Sequence, residues 1–175
     1  MRHFRPIFHC ITLMLICQAA VTLAPVAYAD ASAISDTQRH VIQDHCDSIK
    51  EVLKNIQKDD SRARVYLGAY YEAIITKFVT PLNVRLVENN LSSAGLVENQ
   101  NKLANARGVF TNNFVTYQQG LEELVLMDCK SEPQQFYDKL EKVRQQRKKV
   151  AQDTQQVRSL ITDHIKLVKQ LKESL

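Results

Sequence analysis

Residues 131–175 read SEPQQFYDKLEKVRQQRKKVAQDTQQVRSLITDHIKLVKQLKESL. From Phe136, steps of four and three residues reach Leu140, Val143, Arg147, Val150, Thr154, Val157, Ile161, His164, Val168, Leu171 and Leu175. Apolar side chains at this spacing fall on one face of an α-helix. A mean step of 3.5 residues held for roughly 60 Å implies coiled-coil-like packing against neighbouring helices. Pro133 suits a first helical turn, and Ser131-x-x-Gln134 has the spacing of a capping box.

Two further helices precede it. Leu96, Leu103, Phe110, Tyr117 and Leu124 recur every seven residues, and Phe114 and Leu121 widen the stripe. This predicts a helix over about 96–127, with Gly108 and Gly120 inside it allowing close approach of a neighbour. Earlier, Ile42, Cys46, Ile49, Leu53, Ile56, Asp60, Ala63, Leu67, Tyr70 and Ile74 keep one register, broken only by Asp60. Asp59-Asp60-Ser61 therefore reads as a polar patch on one long helix rather than a turn. Ser35-x-x-Gln38 is a capping box for its start, and Pro81 is expected to end or kink it. A short helical piece over 82–91 and a loop from Asn89 to Gly95 complete the reversal; Asp128-Cys129-Lys130 marks the second connection.

The segment before residue 30 carries an export signal. Arg2 and Arg5 precede an apolar stretch, Ile7–Leu23, and Ala27-Tyr28-Ala29 then offers small residues at the two positions a signal peptidase reads. Cleavage is expected between Ala29 and Asp30, leaving 30–175 as one domain. Uncut, the charge-free run Ile7–Ala29 is long enough to act as a membrane anchor. Losing Arg2 and Arg5 takes Lys+Arg from 23 to 21 against 19 acids, a mature balance of +2. The 45% hydrophobic content excludes a disordered chain, and only 4 Gly and 4 Pro disfavour Gly-rich nucleotide-binding and turn-rich β folds.

Cys10 and Cys17 lie in the leader, which leaves Cys46 and Cys129. Two cysteines in an exported chain predict one intrachain disulfide. That bridge discriminates between layouts. With one unbroken first helix and a reversal spread over Pro81–Gly95, Cys129 falls opposite about residue 48; with a helix split at Asp59–Ser61 the cysteines lie some 25 Å apart. The expected fold is thus all-α, an elongated antiparallel bundle of three long helices; a four-helix bundle is the alternative.

Motifs for chemistry are sparse. The sequence holds no H-E-x-x-H, G-x-S-x-G, P-loop or CxxC, and pairs such as Glu122-Glu123 diverge on a helix. Neither catalysis nor a cofactor is expected. His40 and His45 do not share a helical face and make a poor metal pair. His164 is expected to be partly solvated near a helix end, and Arg147 to lay its stem over the core with its charge in water. Tyr66, Tyr70 and Tyr71 cluster, with Tyr70 on the stripe. Asn90-Leu91-Ser92 is a glycosylation acceptor only in a eukaryotic secretory route.

Two features point to binding. Lys142, Arg144, Arg147, Lys148 and Lys149 form a basic run suited to an acidic partner, an anionic envelope polymer or lipid head groups. Nucleic acid is disfavoured, because no recognition motif or aromatic interleaving accompanies the charge. The third helix also outlasts the second, so Val168, Leu171 and Leu175 are expected to overhang and be covered by a second copy or another protein. The function these features favour is a non-catalytic helical protein, periplasmic, cell-surface or secreted, that mediates protein–protein contact as adaptor, spacer or binder. A peripheral envelope-binding protein and a membrane-anchored coiled-coil subunit are the alternatives.

Overall fold

The computed structural model describes residues 33–91 and 94–175. The expected leader and cleavage site, Ala27, Ala29 and Asp30, lie outside them. The described residues are helical, with no strand among them: α1 (Asp36–Asp44), α2 (Cys46–Ile74), a π-helical turn (Ile75–Val79), α3 (Thr80–Glu88), α4 (Ala94–Leu126) and α5 (Pro133–Glu173). No described helix is long and apolar enough to cross a membrane.

α1 opens with the expected capping box: the Ser35 hydroxyl accepts from the Gln38 amide, and the Gln38 side chain accepts from the Ser35 amide. Helix then continues almost unbroken to Glu88, apart from a turn at His45 that the apolar pattern did not announce. Asp59–Ser61 is helical, as the unslipped register required.

Pro81 does not end the helix. It occupies the first turn of α3, directly after the π turn. Proline offers no amide to the carbonyl one turn back and crowds it; widening the preceding turn gives the chain room to pass. The reversal is correspondingly shorter than Pro81–Gly95. Asn90 adopts φ 58°, its amide donates to Val87 O (3.0 Å), and the Leu91 amide donates to Leu86 O (2.8 Å). That is a Schellman-type stop, with asparagine in the left-handed position that glycine more often fills. Gly95 lies within α4.

α4 touches both long neighbours. Against the first arm, Met127 O accepts from Lys50, Tyr117 meets Asp60, Gln118 meets Ser61, and Arg107 pairs with Glu72 at 2.8 Å. Against α5, Glu123 pairs with Lys139, Asn113 with Asp153, and Asn99 with His164. Over the length of each set, from Lys50–Met127 to Glu72–Arg107 and from Lys139–Glu123 to His164–Asn99, residue numbers fall on one helix as they rise on the other. The α2 and α5 backbones scarcely approach each other.

The heptad positions of α4 form the centre of the core: Leu96, Leu103, Phe110, Tyr117 and Leu124 are all buried, as are Phe114 and Leu121. Tyr71, Phe110, Phe114 and Tyr117 stack edge to face at centroid distances of 5.4, 5.5 and 5.9 Å, a geometry aromatic quadrupoles favour. Gly120 is the close-approach glycine: a Cβ there would lie 2.5 Å from Gln146 Oε1 and 3.2 Å from Val143 Cγ2, whereas Gly108 faces open space.

Cys46 and Cys129 are joined as a disulfide, with Cα atoms 5.6 Å apart and both residues buried. Closing so long a loop contributes on the order of 4 kcal/mol in the chain-entropy account. Polar links secure the same end. Gln43 donates to Lys130 O (2.9 Å), Lys130 pairs with Asp47 (2.7 Å), and the Ile34 amide donates to Gln134 Oε1 (2.9 Å). Ser131 does not cap α5. Glu132 occupies the N-cap position, because Pro133 starts the helix, and Gln134 is engaged by Ile34. Asp128 Oδ1 holds the turn instead, accepting the Lys130 and Ser131 amides. At the opposite end Asn83 is buried and donates to Leu96 O (3.2 Å) and Gln100 Oε1 (2.7 Å), fastening α3 to α4.

Candidate functional site

Three seams run between the long helices, and they differ in chemistry. The α2–α4 seam opens onto Gln57, Ser61, Arg64, Gln118, Gln119 and Glu122. The outer α4–α5 seam is mixed, opening onto Lys102, Asn105, Asp153 and Gln156 and onto Ala106, Val109 and Leu160. Between α2 and α5 the lining is mostly apolar. A cavity of about 370 Å³ is walled by Ile49, Val52, Leu53 and Ile56 of α2 and by Leu140 and Val143 of α5, floored by Tyr117 and Leu121 of α4, and edged by Arg144 and Arg147. Farther along the same pair of helices, a second cavity of about 510 Å³ is lined by Tyr66, Leu67, Tyr70 and Tyr71 and by Arg158, Ile161 and Thr162.

This groove exists because the α2 stripe does not stay on the core. An ideal α-helix turns about 20° per heptad relative to a strict 3.5-residue repeat. Ile42, Cys46 and Leu53 are buried, Ala63 is exposed, and by the fourth heptad Tyr71 has replaced Tyr70 in the core. Tyr70 is 48% exposed and Tyr66 71% exposed, their rings stacked 6.5 Å apart. Tyr71 thus fills the helix interface, while Tyr66 and the stripe residue Tyr70, both expected there from the spacing, turn outward. Val52, on the outer edge of the first cavity, is 58% exposed.

Between the two cavities, the polar residues that break the two outer stripes meet. Asp60 of α2 accepts from the Tyr117 hydroxyl at 2.6 Å and pairs with Arg147 of α5 through Nε (3.2 Å) and a second guanidinium nitrogen (3.3 Å). Burial, reinforced by the hydrogen bond to this carboxylate, raises the Tyr117 pKa far above the usual tyrosine range, so the hydroxyl remains a donor. Arg147 is exposed, as expected of a snorkelling residue, but its charge is committed to Asp60. The triad joins all three long helices at one level.

A second polar site lies toward the far end. His164 is 6% exposed, against the expectation of a partly solvated imidazole. Asn99 Nδ2 donates to Leu160 O at 3.3 Å, which leaves Asn99 Oδ1 to accept from His164 Nδ1 at 3.1 Å. His164 Nε2 is buried without a partner. Burial lowers the His164 pKa, so the neutral ring is the stable form. Asn99 was not singled out by sequence: it sits beside the α4 stripe, where asparagine gives no periodic signal.

The remaining candidates are dispersed. Lys142, Lys148 and Lys149 are exposed on α5; Arg144 pairs with Glu141 three residues earlier on the same helix. His40 and His45 are both exposed. The overhang of α5 is smaller than expected. Asn99 opposes His164 and α4 begins at Ala94, so α4 extends to the level of about residue 169. Val168 and Leu171 are half-buried, and Leu175 is exposed. Comparison with protein-family models, curated proteins and solved structures yields no significant match.

Proposed function

We propose that this is an exported, non-catalytic protein that mediates protein–protein contact, built as an elongated antiparallel three-helix bundle with coiled-coil-like packing. The observation that carries the reading is the α2–α5 groove, whose first cavity is walled by Ile49, Val52, Leu53, Ile56, Leu140 and Val143, with Val52, Tyr66 and Tyr70 facing solvent along it. Large contiguous apolar surface is unfavourable in water and marks contact sites. Tyrosine and arginine, both present here, are enriched where binding energy concentrates. The disulfide supports a working place outside the cytoplasm. Beside the first cavity the Tyr117 hydroxyl and the Asp60 carboxylate satisfy one another and Arg147, whereas the Tyr71 hydroxyl, at the second, is buried without a partner among the described residues.

A photo-crosslinking side chain placed at Val52 in the producing cells tests this. Val115 in the polar α2–α4 seam is the control position. A discrete protein adduct at Val52 and none at Val115 is the expected result. No adduct at Val52, or the same pattern at both, contradicts the reading. Intact mass of the exported protein tests export separately: a chain beginning at Asp30 is expected, and one retaining Met1 contradicts cleavage.

A further inference from the structure

We infer that the second cavity between α2 and α5 is a binding site for a small aromatic carboxylate, its anion held by Arg158 and the Tyr71 hydroxyl and its ring by Tyr66 and Tyr70. This goes beyond the contact reading and uses a different part of the seam. The Asp60–Arg147 pair joins α2 to α5 between the two cavities, so this one is separate from the cavity at Val52.

The cavity measures about 510 Å³, within the range of roughly 300–1,000 Å³ usual for small-molecule sites. Tyr71 is its one buried lining residue, 1% exposed, and forms its floor. The Tyr71 ring is set edge-on against Phe110, with centroids 5.4 Å apart. Its hydroxyl is buried and has no hydrogen-bond partner among the described residues. A buried hydroxyl left unpaired is unfavourable, so this one calls for a group from outside the chain.

Arg158 supplies the charge. It is exposed at the cavity's edge, makes no ion pair among the described residues, and meets no carboxylate in the lining. Acids on the neighbouring turns are engaged elsewhere. Asp153 accepts from Asn113 at 2.7 Å, Asp163 pairs with Lys166 at 3.1 Å, and Glu72 pairs with Arg107 at 2.8 Å. The Thr162 hydroxyl already donates to Arg158 O at 3.1 Å. The cavity's free donors are thus one guanidinium and one phenol. Two donors and no acid select an anionic acceptor; a single cation suits a monoanion, and a planar guanidinium matches a carboxylate.

The rest of the lining selects a ring. Tyr66 and Tyr70 lie within 6° of parallel, with centroids 6.5 Å apart, and the Tyr71 ring is tilted at 57° to Tyr70. Leu67 and Ile161 complete the apolar surface. A planar aromatic body gains stacking on such faces that an alkyl chain does not.

The test uses the protein purified after export, with 2-naphthoate as the probe. The chain has no Trp, so the naphthalene can be excited apart from the protein and its anisotropy followed. 2-Naphthamide is the uncharged isostere, and dodecanoate, measured by displacement, is the alkyl carboxylate. Naphthoate is expected to bind one to one, at least about tenfold tighter than either. Arg158→Gln should remove its margin over naphthamide. Tyr71→Phe should weaken naphthoate binding about tenfold while leaving the probe-free urea midpoint unchanged or higher, because it deletes an unpaired buried group. Arg158 is exposed and can be changed without disturbing the core, so its variant decides the matter even if Tyr71→Phe does not fold. A Tyr71→Phe protein that is less stable yet binds naphthoate like the parent assigns the hydroxyl to a structural water and overturns the inference. Equal binding of naphthoate and naphthamide, binding untouched by Arg158→Gln, or dodecanoate binding as tightly as naphthoate also overturns it. So does no naphthoate binding up to about 1 mM. None of these outcomes bears on the Val52 cross-link, which tests the contact reading separately.

Discussion

Asp60 and Arg147 each interrupt an otherwise apolar stripe, and that much is visible in the sequence. Their meeting is not, because it depends on the axial register of α2 against α5, which is set through α4. Tyr117 carries a second hidden role: a heptad position reads simply as core, and its hydroxyl gives no periodic signal. In the structure that hydroxyl donates to Asp60 at 2.6 Å. Removing the carboxylate strands a largely buried donor, whereas removing the hydroxyl leaves Asp60 with Arg147. Asp60→Ala is therefore expected to cost about 1–3 kcal/mol and Tyr117→Phe about 0.5–1.5 kcal/mol. The double variant should fall short of their sum by at least about 0.5 kcal/mol in urea unfolding, because the two residues share one bond. His164 supplies a pH dependence. Its pKa is lowered by burial, so the unfolded chain binds the proton more readily. Stability is expected to be complete above the ordinary imidazole pKa of about 6.5 and to decline as pH falls from there through the lower folded value. Urea midpoints at several pH values should show this decline in the parent chain and a flatter profile in His164→Gln, which keeps a donor for Asn99.

The helices themselves were largely legible, because apolar spacing alone reports a helical face. α4 and α5 begin and end within a few residues of the expected bounds. What the spacing did not report were local departures from ideal helix. A 3.5-residue count cannot anticipate the drift that turns Tyr70 outward and Tyr71 inward. Pro81 reads as a terminator unless the turn before it widens, as Ile75–Val79 does. Ser131 matches the capping pattern but loses the position to Glu132, since Pro133 fixes the first turn. The glycines of α4 separate two roles that sequence leaves merged. Gly108 faces open space, so Gly108→Ala should raise stability by roughly 0.5–1 kcal/mol through helix propensity alone. Gly120→Ala should gain less or lose, because its Cβ presses on Val143 and Gln146. Thermal or urea unfolding of the two variants side by side gives the comparison.

At the scale of the molecule, the disulfide requirement carried the layout: only an unbroken first arm brings Cys46 level with Cys129, and the two are bonded. The groove could not be read in advance, because each helix separately presents a plausible core face. It arises from the separation of α2 and α5 while both lean on α4. The proposed contact surface therefore lies on the side of the molecule and not at the α5 terminus, where Val168 and Leu171 are half-buried. The basic run is divided with it: Arg144 and Arg147 edge the groove, while Lys142 and Lys149 do not line it. The central claim is that another polypeptide covers this groove where the protein works. Carbene footprinting compares it directly in the producing culture and in the purified protein, following Val52, Tyr66 and Tyr70 against the control positions Val109 and Val115 in the other two seams. The account predicts strong labelling of the three groove residues in the purified protein, protection in the culture, and no change at the controls. Equal labelling of the groove residues in both settings would contradict it.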